Sequence, residues 1–208
     1  MLRKLLVVAV AMSSVFVPLQ TARAACDVTP FIGASVPTKS MILQASGGTL
    51  IRNTTHAVYG LSIGTSFSNK FGADLVLGAG SGALEVVGGV DVLKLSSTLL
   101  FADVRGNFRI MGNDQAGLGL VGGVGYTTQK IGLFDFAALT DAGEFKGKLT
   151  GILGLSFDAE VSDRMGLSVE MVDRIREQGI VIEGSTGLNE PTQHDVMVTA
   201  GLSFALNK

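Results

Sequence analysis

His56 and His194 are the two imidazoles of this sequence, and imidazole is the side chain best suited to carrying protons near neutral pH. His194 is followed by Asp195, and serines and threonines are abundant, so the chemistry to look for is a base beside a hydroxyl nucleophile. No spacing ties either histidine to such a nucleophile, and both are expected as solvated residues at strand ends. Asp158 and Glu160 offer a carboxylate pair for acid–base work. Their spacing, however, is what any two neighbours on one face of a strand share. Gly117-Leu118-Gly119-Leu120-Val121-Gly122 spells G-x-G-x-x-G, but a dinucleotide site needs a helix after it to receive the pyrophosphate. Here Gly123-Val124-Gly125-Tyr126-Thr127 continues a two-residue alternation instead. No catalytic, cofactor-binding or metal-ligating residue is therefore assigned, and no cofactor is expected.

All of these residues lie on or beside strands. In the last stretch, Val196, Val198, Ala200, Leu202, Phe204 and Leu206 share one face, while Met197, Thr199, Gly201, Ser203 and Ala205 share the other. A strict period of two is a strand with one apolar face. The pattern recurs in eight segments: Val28–Val36, Ala57–Phe67, Phe71–Ala79, Ser97–Ile110, Ala116–Thr127, Lys148–Val161, Gly166–Ile175 and Asp195–Leu206. About ten residues at ~3.3 Å rise and ~45° tilt cover roughly 23 Å, close to the ~25 Å apolar band of a membrane-spanning barrel. The expected fold is all-β, an eight-stranded antiparallel up-and-down transmembrane β-barrel. Its lipid face is expected to show Leu61, Leu75, Val104, Leu120, Leu155, Val169, Val198 and Leu202.

The connections alternate in length. Short ones lie at Ser68–Lys70, Met111–Gln115 and Ser162–Met165, and long ones at Pro37–His56, Gly80–Ser96, Thr128–Gly147 and Arg176–His194. Barrels of the outer membrane pair short periplasmic turns with long extracellular loops in this way. Within one long connection, Leu84 to Val92 alternates again; it either extends the third and fourth strands as a hairpin or adds two strands, making ten. Phe67, Phe71, Phe108 and Phe204 fall near the periplasmic ends, and Tyr59 and Tyr126 near the extracellular ends, as interfacial girdles do. Phe134 to Leu139 is an apolar piece of an outer loop.

The inward faces carry Asp74, Asp103, Arg105, Asn107, Arg109, Lys148, Asp158, Glu160, Glu170 and Arg174. A lumen of eight strands is just wide enough for side chains, so charges inside it have to pair. The interior is thus expected to be blocked by a charged network, with Arg105 and Arg109 each in reach of a carboxylate. A narrow gated pore or proton path is the alternative.

The N-terminus reads as an export signal: Arg3 and Lys4, an apolar run from Leu5 to Val17, and Ala22-Arg23-Ala24 as a cleavage site. Residues 1–24 are the expected signal peptide and 25–208 the barrel domain. Cys26, the single cysteine, excludes an internal disulfide and reads as an unpaired thiol. Lipidation at Cys26 is the alternative, with Arg23 standing where lipoprotein signals carry leucine. The formal charge of −2 gives no reason to expect a nucleic-acid partner. A mean hydropathy of +0.44 without any later run of spanning-helix length fits strands that show lipid every second residue.

Thr199-Ala200-Gly201-Leu202-Ser203-Phe204-Ala205-Leu206 resembles the C-terminal signal that the outer-membrane assembly machinery recognises. Leu153 to Val161 with Ser162 to Glu170 resembles the penultimate hairpin of the small OmpA-like outer-membrane barrels. The resemblance implies place and architecture, not a chemistry; the leading expectation is a monomeric, non-catalytic outer-membrane protein, without the peptidoglycan-binding domain of OmpA, that serves envelope integrity or surface contact. Its implied partners are outer-membrane lipid, lipopolysaccharide and, through the last strand, the assembly machinery. A lipid A-modifying enzyme using His56 or His194 and a soluble periplasmic β-sandwich or lipocalin-like binder are the other readings.

Overall fold

The computed structural model describes residues 25–38, 50–88, 91–113, 115–132, 144–177 and 192–206. The described residues form nine strands: β1 (Ala25–Pro37), β2 (Leu50–Asn53), β3 (His56–Ser66), β4 (Phe71–Gly88), β5 (Asp91–Gly112), β6 (Ala116–Gly132), β7 (Glu144–Ser162), β8 (Met165–Glu177) and β9 (Thr192–Ala205). Every pairing is antiparallel, and β1 meets both β3 and β9 while β4 meets β5, so eight strands close into a ring. The ninth, β2, adds no stave to the barrel. It runs on from the line of β3 across Thr54-Thr55 and pairs the upper end of β4, from Leu50–Val87 to Asn53–Leu84.

Alternation dictates the two faces. Outward residues such as Leu61, Val104, Leu120, Leu155, Val198 and Leu202 stay exposed, as do the girdle residues Tyr59, Phe71, Phe108 and Tyr126. Leu75 and Val169 share that outer face, half-covered by their neighbours. Phe71 and Phe108, paired across β4 and β5, bring their rings to 4.9 Å. A continuous apolar exterior of this extent is stable against lipid rather than water. Inward residues in the middle of the barrel are buried, and the core of the molecule is its lumen: Phe31, Val58, Val76, Phe101, Val121 and Ile152 meet there.

The three short turns stand as expected. Ser68 Oγ accepts from the backbone N–H of Lys70 and Phe71, and Asn113 Oδ1 from those of Gln115 and Ala116. Such side chains stand in for the next backbone acceptor and tighten a turn. Gly112 enters its turn at φ +130°, a region that L side chains rarely adopt.

The reading of Gly80–Ser96 as a connection outside the strands is corrected. β4 and β5 stay paired from Gly80–Leu99 up to Gly88–Asp91, so the alternating stretch prolongs both strands and adds none. Paired strands need not stop at the membrane boundary: the outward face of the extension carries a charged pair, in which Lys94 Nζ reaches Glu85 Oε1 at 3.2 Å. β5, at 22 residues, rises roughly 50 Å at ~3.3 Å per residue and ~45° tilt, about twice the apolar band. β1 and β8 have 13 residues each, enough to span and little more. Among the described residues the paired wall is therefore tallest along β4 to β7, with β2 beside the upper end of β4. The signal peptide and Phe134 to Leu139 lie outside the described residues.

Candidate functional site

The alternation of β5 aims Asp103 and Arg105 inward, and that of β8 aims Glu170 and Arg174 inward from across the lumen. Their charges meet there. Arg105 donates to Asp103 Oδ2 at 2.7 Å and to Glu170 Oε2 at 2.6 Å. Arg174 also donates to Asp103, through Nη1 to Oδ2 and through Nη2 to Oδ1 at 3.0 Å. Asp103, Arg105 and Arg174 are each 2% exposed or less, so this cluster is dry. Two guanidinium groups face two carboxylates, and charge-assisted bonds of this kind offset the loss of hydration that burial imposes. Arg174 further donates to Thr127 Oγ1 at 2.8 Å and lies 4.5 Å from the centre of the Phe101 ring. Phe101 in turn stacks on Phe31 at 6.5 Å. The ion cluster and the aromatic pair together close the middle of the barrel.

Glycines make this packing possible. A Cβ on Gly125 would collide with the Asp103 carboxylate, and one on Gly78 with the Phe101 ring. The G-x-G-x-x-G run lies inside strand β6 with its alternation unbroken, as the sequence suggests.

Above the cluster the structure departs from expectation at His56. The ring is 3% exposed and points into the lumen instead of lying solvated at the rim. Its Nδ1–H donates to the Thr54 carbonyl at 2.9 Å, and its Nε2 accepts from the Ser97 hydroxyl at 3.2 Å. Gln129 Nε2 also donates to Ser97 Oγ, at 2.6 Å. With both nitrogens engaged and no open space beside it, the ring is a satisfied core histidine. His194 lies on the outer face, where its Nδ1–H donates to Asp173 Oδ2 at 2.7 Å. Asp195, its sequence neighbour, points the other way and pairs with Arg176 at 3.0 Å. The two histidines are on opposite faces of the wall, and among the described residues no hydroxyl nucleophile touches the His194 ring.

Below the cluster, at the end that holds the short turns and both chain ends, the lumen opens into a cavity of about 520 Å³. Asp27, Asp74, Asp158, Glu160 and Arg109 line it. Asn107 Nδ2 donates to Asp74, and Asp27 and Asp74 converge above Gly64. The expectation for Arg109 is met only loosely: its Nη1 donates to the Asn113 carbonyl at 3.4 Å, and Asp158 feels its charge without a hydrogen bond to it. Facing an open mouth, it can be hydrated, and the argument that forces Arg105 to pair does not reach it. Asp27 and Arg176 are inward charges that sequence reasoning missed, because the first strand was read from Val28 and the seventh only to Ile175. Carrying the alternation one residue further at each end finds both.

The groups that could hold a metal do not gather: no set of three such side chains does so among the described residues. Cys26 is a half-buried free thiol near the start of β1.

No family model matches the chain, and no curated protein matches it. Solved structures do. The outer membrane protein OprG from Pseudomonas aeruginosa superposes with a TM-score of 0.59 at 18% identity, over 90% of this chain and 98% of OprG. Neisserial surface protein A superposes with a TM-score of 0.54 at 9% identity, over 86% of this chain and 96% of its own. Identities this low speak for the fold. Closed ring, apolar belt and these likenesses agree: the chain is an outer-membrane β-barrel with the fold of the small OmpA-like barrels.

Proposed function

We propose that this protein is a non-catalytic component of the outer membrane that serves envelope integrity or surface contact with its lumen shut. One observation carries the reading: Asp103 and Glu170 neutralise Arg105 and Arg174 in a closed centre backed by Phe31 and Phe101. A barrel built to conduct would keep that centre hydrated, and one built for chemistry would leave a reactive group free. The tall wall of β4 to β7 supplies the surface for contact. In this reading residues 1–24 are removed on export, the last strand is recognised by the assembly machinery, and the monomer sits among outer-membrane lipid and lipopolysaccharide. The enzyme reading is not favoured, since both His56 nitrogens are occupied and, among the described residues, no hydroxyl nucleophile is bonded to the His194 ring. Purified protein in planar bilayers should show no large, stable conductance. Steady porin-sized channels would overturn the proposal.

A further inference from the structure

Of the two imidazoles, His56 is the one inside the barrel, at the joint where β2 runs on into β3. That joint is stitched to β4: Thr54 N–H donates to the Ala83 carbonyl at 3.0 Å, and Ala83 N–H donates to Thr54 Oγ1 at 3.0 Å. From the same joint the His56 ring reaches past β4 to β5. One nitrogen holds the Thr54 carbonyl and the other holds Ser97, so a single ring ties the joint to the next strand but one. Gly82 of β4 leaves the ring its room, since a Cβ there would stand 2.7 Å from it.

The direction of these hydrogen bonds fits one protonation state. A carbonyl can only accept, so Nδ1 carries the hydrogen, and the neutral ring keeps a lone pair on Nε2. The Ser97 hydroxyl donates to that lone pair, and Ser97 Oγ in turn accepts from Gln129 Nε2. The donors therefore all point one way, from Gln129 through Ser97 and His56 to Thr54. A proton on Nε2 reverses one link. The ring and Gln129 would then both donate to Ser97 Oγ, and the hydroxyl hydrogen would lose its acceptor. The new charge would sit on a residue that is 3% exposed. Beside it on β1, β4, β5 and β6 stand Ser35, Gly82, Ser97 and Gln129, all neutral. The charges that act on the ring, Asp195 of β9 and Arg176 of β8, are paired with each other at 3.0 Å. Neither is left over as a counter-ion, and an uncompensated buried charge is costly.

We propose that His56 is an acid-sensitive latch: protonation of its ring releases the β2–β3 joint from β5, so the extracellular edge carried by β2 loosens when the surroundings turn acidic. The released state lets water reach the charged ring, and a state that binds the proton better gains population as pH falls. His194 has no such part, because its side chain lies on the outer face, 36% exposed, where a charge can be hydrated. The latch belongs to the tier above the ion cluster and stands whether or not the centre conducts.

Amide exchange on the protein in lipid vesicles tests it, with rates corrected for the intrinsic effect of pH. The amides of Thr54 and Ala83 report the joint, and that of fully buried Val121 reports the centre. The comparison runs between about pH 7.5 and 5, where an ordinary imidazole takes up its proton. Protection at Thr54 and Ala83 should fall roughly tenfold, the weight of one hydrogen bond, while Val121 keeps its own. His56→Gln should remove that response, and His194→Gln should keep it. Protection that ignores pH, a response that survives His56→Gln, or one that is lost with His194→Gln would overturn the proposal. Should His56→Gln fail to fold, NMR titration of the two rings in the unaltered protein decides. His56 should gain its proton only as Thr54 and Ala83 lose protection, and a ring that charges with the joint still closed would refute the latch.

Discussion

The centre of the lumen and its periplasmic mouth are lined by the same alternating strands and hold the same kinds of charge, yet they treat those charges differently. Arg105, 2% exposed, is bonded to two carboxylates; Arg109, four residues down the same face of β5, is bonded to a turn carbonyl. The difference is access to water. Where hydration is lost, pairing is compulsory, and where the mouth is open, it is optional. Composition alone does not tell which inward charges form a site; depth along the strand does.

The sharpest way to break this contrast is to remove the shared acceptor. Asp103→Ala leaves two buried guanidinium groups facing each other and should cost about 3–5 kcal/mol in reversible urea unfolding from lipid vesicles. An effect below about 1 kcal/mol would mean that the centre is wet. Next door, Val104 faces lipid at 41% exposure. Val104→Arg should cost about 2–4 kcal/mol in the same measurement, the penalty for a charge in the membrane. Similar losses at these neighbouring positions would have opposite causes, and thinner lipid should relieve only the second. Gly125→Ala pushes a methyl against the Asp103 carboxylate and should cost about 1–3 kcal/mol by overpacking. Arg109→Ala should change stability by less than about 1 kcal/mol, and a loss as large as that of Asp103→Ala would erase the distinction.

Much of the fold was legible because a barrel wall is a local pattern. Period two marks the strands, parity assigns Leu61 outward and Asp103 inward, and turn residues such as Asn113 place the short connections. The ends of strands were less legible. β4 and β5 continue past the membrane, which the alternation of Leu84 to Val92 offered only as one of two options, and the expectation of a span-length strand hid Arg176. Side-chain partners across the lumen were least legible. Arg174 and Asp103 are 71 residues apart on strands that are not neighbours, and their meeting depends on how the ring closes. His56 shows the same limit: its place at a strand end suggested solvent, but the tall β5 puts Ser97 beside it. Proline in a strand was a local signal left unused: Pro30 has no N–H to give, and the β1–β9 pairing skips Thr29 and Pro30 without a change of register.

The unequal height of the wall also bears on how the molecule would be recognised from outside. Its farthest-reaching described part is a paired hairpin, in which Glu85 and Lys94 are neighbours because of strand register rather than chain order. An antibody raised against the folded barrel would read a discontinuous epitope spread over two strands. A linear peptide copied from either strand would present only half of it and, with no ladder to hold it straight, would elicit serum that binds the denatured chain better than the intact cell.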